Sequence, residues 1–209
     1  MSDSGLAVHG LRVERGERVL FDDLSFSAPP ACLMHLQGAN GSGKTTLLKT
    51  LAGLVSADAG DIVWRGERLS RATDFRAMLN YIGHQGGLNA ELDACENLEF
   101  IATLCAAPRR ATVAAALQAL NAASFAEQPV RYLSAGQRQR VTLARLMLFE
   151  APLWMLDEPF TALDHASRRL VEAIIDTHVE QGGTVLIATH QTFDSRHAIR
   201  VVPLGVVPP

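Results

Sequence analysis

Eight residues, Gly38-Ala39-Asn40-Gly41-Ser42-Gly43-Lys44-Thr45, carry the spacing G-x-x-x-x-G-K-[ST], the pattern of a phosphate-binding loop. Glycine lets a loop wrap closely enough for backbone N–H groups to point at phosphate oxygens, and the dipole of a following helix adds attraction. Lys44 would reach the β- and γ-phosphates, the Thr45 hydroxyl would ligate Mg²⁺, and Thr46 completes the set at the helix start. Further along, the apolar run Leu153-Trp154-Met155-Leu156 ends in adjacent acids, Asp157 and Glu158, followed by Pro159. Two carboxylates can divide two tasks: Asp157 holds the metal, and Glu158 polarises the water that attacks the γ-phosphate.

Those groups need a scaffold that brings loop and acids together. Cys32 to Leu36 is a buried-strand candidate running into the glycine-rich loop, and Thr45 to Leu54 reads as the helix after it. The first 30 residues alternate apolar and polar positions, at Leu6-Ala7-Val8, Leu11-Arg12-Val13, Val19-Leu20-Phe21 and Leu24-Ser25-Phe26. With Arg15-Gly16-Glu17-Arg18 between them, they predict antiparallel strands joined by a turn. Residues 60–64 and 79–82 look like short strands, whereas 95–106 and 111–123 are alanine- and leucine-rich helices interrupting the sheet. The second half alternates: helix 135–150, strand 153–156, helix 166–179, strand 184–189, and a last strand near 199–202, with 203–209 as a tail. This predicts an α/β fold with a mostly parallel sheet covered by helices.

Composition narrows the setting. The 209 residues with 48% hydrophobic content suffice for one substantial core, and no apolar run approaches the roughly 20 residues of a membrane span. The opening Met1 to Gly5 lacks the charge and apolar run of an export signal, so the expectation is a protein that reaches a membrane only through a partner. Cys32, Cys95 and Cys105 have neither metal-ligand spacing nor an even count, and read as incidental thiols. A formal net charge of −3 offers no footprint for nucleic acid, and Arg138, Arg140 and Arg145 read as a solvated helix face or a subunit contact.

Leu133-Ser134-Ala135-Gly136-Gln137 precedes the arginine-containing helix, and on its own it is equally an N-capping serine with a small-residue turn. The ordered set, however, resembles the nucleotide-binding domain of ABC transporters over nearly the whole chain. It comprises the phosphate loop, Gln85 after an apolar strand, Leu-Ser-Ala-Gly-Gln, Asp157-Glu158, Ala162-Leu163-Asp164 and His190. That resemblance implies a P-loop NTPase fold of one domain over residues 1–209, with an N-terminal antiparallel β-subdomain and a helical subdomain at about 88–148. It implies ATP and Mg²⁺ as cofactors and a second copy as partner, so that Ser134, Gly136 and Gln137 face the nucleotide held by the other chain. It also implies Gln85 as a ligand to Mg²⁺ or the attacking water, His190 as the switch histidine that bonds the γ-phosphate and orients Glu158, and Asp164 as the aspartate coupling the two sites. Two departures stand out. The stretch Glu14 to Arg18 has no aromatic residue on which adenine could stack, leaving Arg15 or Arg18, and Ala135 replaces the commoner glycine of the signature.

A narrower resemblance lies in Tyr81-Ile82-Gly83-His84-Gln85, Glu96-Asn97-Leu98, the Leu156 to Ala162 segment and Ala188-Thr189-His190-Gln191. These are similar to the ATP-binding subunits of the bacterial cytochrome c maturation system. The resemblance implies a peripheral protein on the cytoplasmic face of the inner membrane, bound to the permease CcmB and further to CcmC. The implied work is haem export or release of a haem-loaded chaperone. The chain has no haem-attachment motif of its own, and residues 86–99 are the candidate docking surface for the membrane partner. An ABC ATPase for another substrate and a non-transport, ATP-switched regulatory module are the alternatives.

Overall fold

The computed structural model describes residues 5–16, 18–69, 74–105 and 108–205. Glu17 of the expected turn, Ala106 at the end of an expected helix and residues 206–209 of the tail lie outside them. The N-terminal alternation produces β1 (Leu6–Arg15) and β2 (Arg18–Ala28), antiparallel, with β1 also pairing antiparallel with β4 (Ala59–Trp64). A two-residue strand β5 (Glu67–Arg68), too short to be read from sequence, closes this sheet in the order β2-β1-β4-β5.

The second sheet is parallel, with order β6-β7-β8-β3-β9. Its strands are β3 (Cys32–Gln37), β6 (Leu79–Ile82), β7 (Leu153–Asp157), β8 (Thr184–Ala188) and β9 (Ile199–Pro203). Strands β7 and β8 are buried at every residue, as expected of parallel strands covered on both faces. The twofold alternation of side chains sorts these runs into two cores. Leu153 and Met155 face one core with Leu47, Leu48 and Leu51 of helix α1 (Lys44–Leu51) and the antiparallel sheet. Trp154 and Leu156 face the other.

That second core is covered by α2 (Ala94–Leu104), α3 (Val113–Ala119), α4 (Ala135–Leu148) and α5 (His165–Glu180). Four of these five helices start on capping side chains: Asp93, Thr112, Ser134 and Asp164 each accept a backbone N–H three residues ahead. The fifth, α1, starts on Gly43 at φ 93°, where the chain comes off the loop in a left-handed turn. Helices α1 and α3 are shorter than the periodicity suggested, ending at Leu51 and Ala119 rather than 54 and 123. Gly53 at φ 70° and Asn121 at φ 52° end the helical geometry there. No helix among the described residues is long and apolar enough to cross a membrane.

Candidate functional site

Parallel sheets place their loops for ligands at the carboxyl ends of the strands. The expected residues gather at that edge: the loop 38–43 leaves β3, Asp157 and Glu158 end β7, and Thr189-His190 follow β8, which lies between those two strands. The loop is shaped by what surrounds it. A Cβ on Gly38 would stand 2.7 Å from Leu204 O, and one on Gly43 would stand 2.6 Å from the ring of Phe21, so β2 and the segment after β9 press the loop into its curl. Gly41, at φ 77°, turns it through open space. Ala39 O accepts from Ser42 N, while Asn40 and Ala39 remain exposed. Lys44 lies buried across the curl, its Nζ donating to Gly38 O at 2.7 Å and Ala39 O at 3.0 Å. A buried ammonium held only by neutral carbonyls is a ready partner for phosphate oxygens. Thr46 O accepts from the Thr50 hydroxyl, so Thr46 sits in the regular first turn of α1.

Asp157 is buried, its Oδ2 has no hydrogen-bond partner, and the Thr45 side chain lies near the same carboxyl. Burial pushes this carboxyl above the usual carboxylate range, and the neighbouring Thr45 hydroxyl and His84 only partly offset that. A cation would restore the charged form. One carboxylate, one hydroxyl and the phosphate oxygens make the hard oxygen set that suits Mg²⁺, which keeps much of its own water. Gln85 joins Thr45, Lys49 and Tyr81 in lining a cleft of about 470 Å³ beside Asp157.

Glu158 is fixed far more tightly than its neighbour. Its backbone is at φ 52°, an uncommon conformation for a glutamate, and its N–H donates to Ala188 O at 2.7 Å. Its Oε2 accepts from the Thr189 hydroxyl at 2.8 Å, and its Oε1 accepts from His190 N at 3.2 Å. His190 Nδ1 lies 3.0 Å from Oε1 as well; because a carboxylate only accepts, Nδ1 carries the proton and Nε2 is left free toward solvent. A carboxylate aimed this way can accept a proton from water, with the histidine poised beside it. Thr189 was not among the residues singled out from sequence, since a threonine closing an apolar strand gives no signal of its own.

The signature segment opens α4, where Ala135 lines a cleft of about 390 Å³ with His84, Gln85, Thr161 and Ala162. Ser134 and Gln137 form a reciprocal capping box: Ser134 Oγ accepts from Gln137 N at 3.2 Å, and Gln137 Oε1 accepts from Ser134 N at 2.7 Å. Ser134 and Ala135 are exposed, so the methyl group in place of glycine meets no neighbour that forbids it. Gly136 is constrained from within the chain, because a Cβ there would stand 2.6 Å from Ala162 O. Gln139 Nε2 donates to Pro159 O at 2.9 Å, a second tie between α4 and the segment after Glu158. Asp164 caps α5 through Ser167 N at 2.7 Å, and that backbone hydrogen bond holds its carboxyl below the ordinary range.

The loop around Gln85 is tied to the helical layer. Arg145 of α4 donates to Gly86 O at 3.1 Å, and a Cβ on Gly86 would stand 2.7 Å from Thr142 Oγ1. The rest of residues 86–99 runs from this loop to the Asp93–Glu96 capping box of α2, and the nearby Phe100 and Leu104 are exposed apolar side chains. In the hairpin, Arg15 donates to Glu14 O at 2.6 Å and Arg18 is exposed; neither has an aromatic side chain beside it among the contacts of the described residues.

Residues 21–161 match the family model described as ABC transporter. The chain is 42% identical over 208 residues to the cytochrome c biogenesis ATP-binding export protein CcmA of Methylococcus capsulatus, covering 98% of this chain and 100% of that one. It is 43% identical over 192 residues to the protein of the same name from Pseudomonas putida, covering 91% of each. Among solved structures, it superposes on an ABC transporter ATP-binding protein from Pyrococcus furiosus with a TM-score of 0.80 at 22% identity, covering 96% of this chain and 98% of that one. A dimeric ATP-binding cassette, MJ0796 with ADP and Pi, superposes with a TM-score of 0.79 at 22% identity, covering 89% and 88%.

Proposed function

The chain belongs to the ABC transporter ATP-binding family, and from that premise we propose that it is the ATPase subunit of a membrane complex for cytochrome c biogenesis, its site completed by a second copy. The catalytic part is carried by one observation: Glu158 is anchored by Thr189 and His190 at the sheet edge that also holds the Lys44 loop. Lys44 and the loop N–H groups of 38–46 bind the β- and γ-phosphates. Glu158 accepts the proton of the attacking water, and His190 Nε2 bonds the γ-phosphate while Nδ1 holds Glu158 in register. Gln85 orients the water and reports the state of the cleft to α4 through Gly86 and Arg145. Thr45, Asp157 and Gln85 would hold Mg²⁺, which neutralises charge on the phosphate oxygens.

Ser134, Gly136 and Gln137 present the N-terminus of α4 to the nucleotide of the other chain, where its dipole and free N–H groups suit an anion. Asp164 couples the two sites from the start of α5. The assignment to cytochrome c biogenesis is supported by the near full-length identity with the two CcmA relatives. On this reading the partners are an integral membrane subunit of the CcmB kind, docking over residues 86–99 and the exposed Phe100 and Leu104, and CcmC beyond it, at the cytoplasmic face of the inner membrane.

Glu158→Gln tests the catalytic assignment. It keeps the shape of the side chain and one acceptor oxygen for His190 while removing the base, so ATP binding persists and turnover falls by at least about a hundredfold. Normal turnover in that variant would sink the role of Glu158. Co-purification with a detergent-solubilised CcmB tests the partner, and loss of that association in a Phe100→Asp/Leu104→Asp variant tests the surface.

A further inference from the structure

The role of Asp157 leaves two facts about its surroundings unexplained. Its Oδ2 is buried without a partner, and so is the hydroxyl of Tyr81 on the neighbouring strand. Strand register places them together. Tyr81 pairs with Met155 and Ile82 with Leu156 between β6 and β7, so Tyr81, Met155 and, one step further, Asp157 lie on the same face of the sheet. That is the face covered by α1, where Tyr81 packs against the Met155 core and where Thr45 lies near the Asp157 carboxyl. The phenol points toward the strand end: its oxygen lies 2.8 Å from where a Gly83 Cβ would be, and Tyr81 lines the same cleft as Thr45, Lys49 and Gln85.

We propose that Tyr81 is a positioning residue for the metal-side carboxylate, its hydroxyl and Asp157 Oδ2 sharing one water molecule that fixes the carboxylate for Mg²⁺. Two buried polar atoms without protein partners, beside a cleft that Thr45, Lys49 and Gln85 also line, meet the requirement for an ordered bridging water. A tyrosine phenol is a protonated donor at neutral pH and can donate to such a water. A Cβ at position 83 would stand 2.8 Å from the phenol oxygen, so a side chain there would push the phenol aside. Outer partners of this kind orient a ligand and raise its affinity without touching the metal.

The proposal rests on the reading of Asp157 as the metal-side acid, and the test separates the two. A fluorescent ATP analogue is titrated into the full chain in EDTA and then against MgCl₂. Tyr81→Phe is expected to leave affinity in EDTA and the melting temperature unchanged, while raising the MgCl₂ concentration for half-maximal tightening about tenfold. Gly83→Ala, which displaces the phenol without removing it, is expected to do the same and stands in if Tyr81→Phe fails to fold. Wild-type Mg²⁺ dependence in either variant overturns the role of Tyr81. Wild-type Mg²⁺ dependence in Asp157→Asn overturns the metal reading itself, whereas a loss there beside an unchanged Tyr81→Phe refutes the tyrosine alone.

Discussion

Glu158 illustrates how a residue's chemistry depends on neighbours that sequence does not advertise. An adjacent acid pair at the end of an apolar run predicts two carboxylates with two tasks, and the structure separates them physically: Asp157 is buried with an open oxygen, while Glu158 is held by Thr189 and by two groups of His190. The glycine spacing made Lys44 legible, whereas His190 became legible only through the family resemblance. Thr189 was not legible, because β-branched residues in a buried strand are expected for packing alone. Its hydroxyl nevertheless donates to a carboxylate, an interaction worth about 1.5–3 kcal/mol. Thr189→Val is therefore expected to lower kcat about tenfold with little change in nucleotide affinity, measured by steady-state ATPase assays and ATP binding. An equal loss in both would mean that the threonine holds the loop rather than the base.

At the scale of elements, the order of strands and helices in the second half followed from alternating apolar runs, and Ser134 marked the start of α4 as its capping residue. Less legible was where helices stop. Helix α3 ends at Ala119 although alanine continues to 122 and 123, because Asn121 takes a left-handed conformation that composition does not announce. Pairing between distant strands, such as β1 with β4, was equally hidden: the two meet over a core they share with α1, which local patterning does not show. The signature segment shows one set of residues serving two ends. Its serine and glutamine cap α4, and its glycine lets α4 approach Ala162. Ser134→Ala is expected to cost about 1 kcal/mol of stability through the lost cap, read in chemical denaturation. If Ser134 also serves the partner's nucleotide, turnover falls by far more than so small a destabilisation explains. Gly136→Ala is expected to destabilise more than Ser134→Ala, because its methyl group meets a backbone carbonyl.

At the scale of the whole molecule, the sheet has a chemical edge and a structural one. At the opposite end from the nucleotide loop, His178 stacks on Trp154 with ring centroids 3.7 Å apart. Burial, with a contribution from Arg110, lowers the His178 imidazole from 6.5 to about 4. The unfolded chain therefore binds this proton before the folded one does, so the stability it confers is full above pH 6.5 and is lost as pH falls toward 4. Denaturation at pH 7 and pH 5 is expected to differ by about 2 kcal/mol from this group, and a His178→Gln variant is expected to show a flatter profile over that interval.

Ser134 and Ala135 are exposed, and the hydrogen bonds of Ser134 stay within its own capping box rather than reaching the chain's phosphate loop, so a second copy is needed to bring this serine to a nucleotide. Light scattering of the Glu158→Gln protein with ATP tests it most directly. The expected result is a mass of one chain without nucleotide and of two chains with ATP, the doubling being abolished when Ser134→Phe is added although ATP still binds. A Glu158→Gln protein that binds ATP and remains a single chain, or one that doubles regardless of Ser134, would contradict a site shared between two copies.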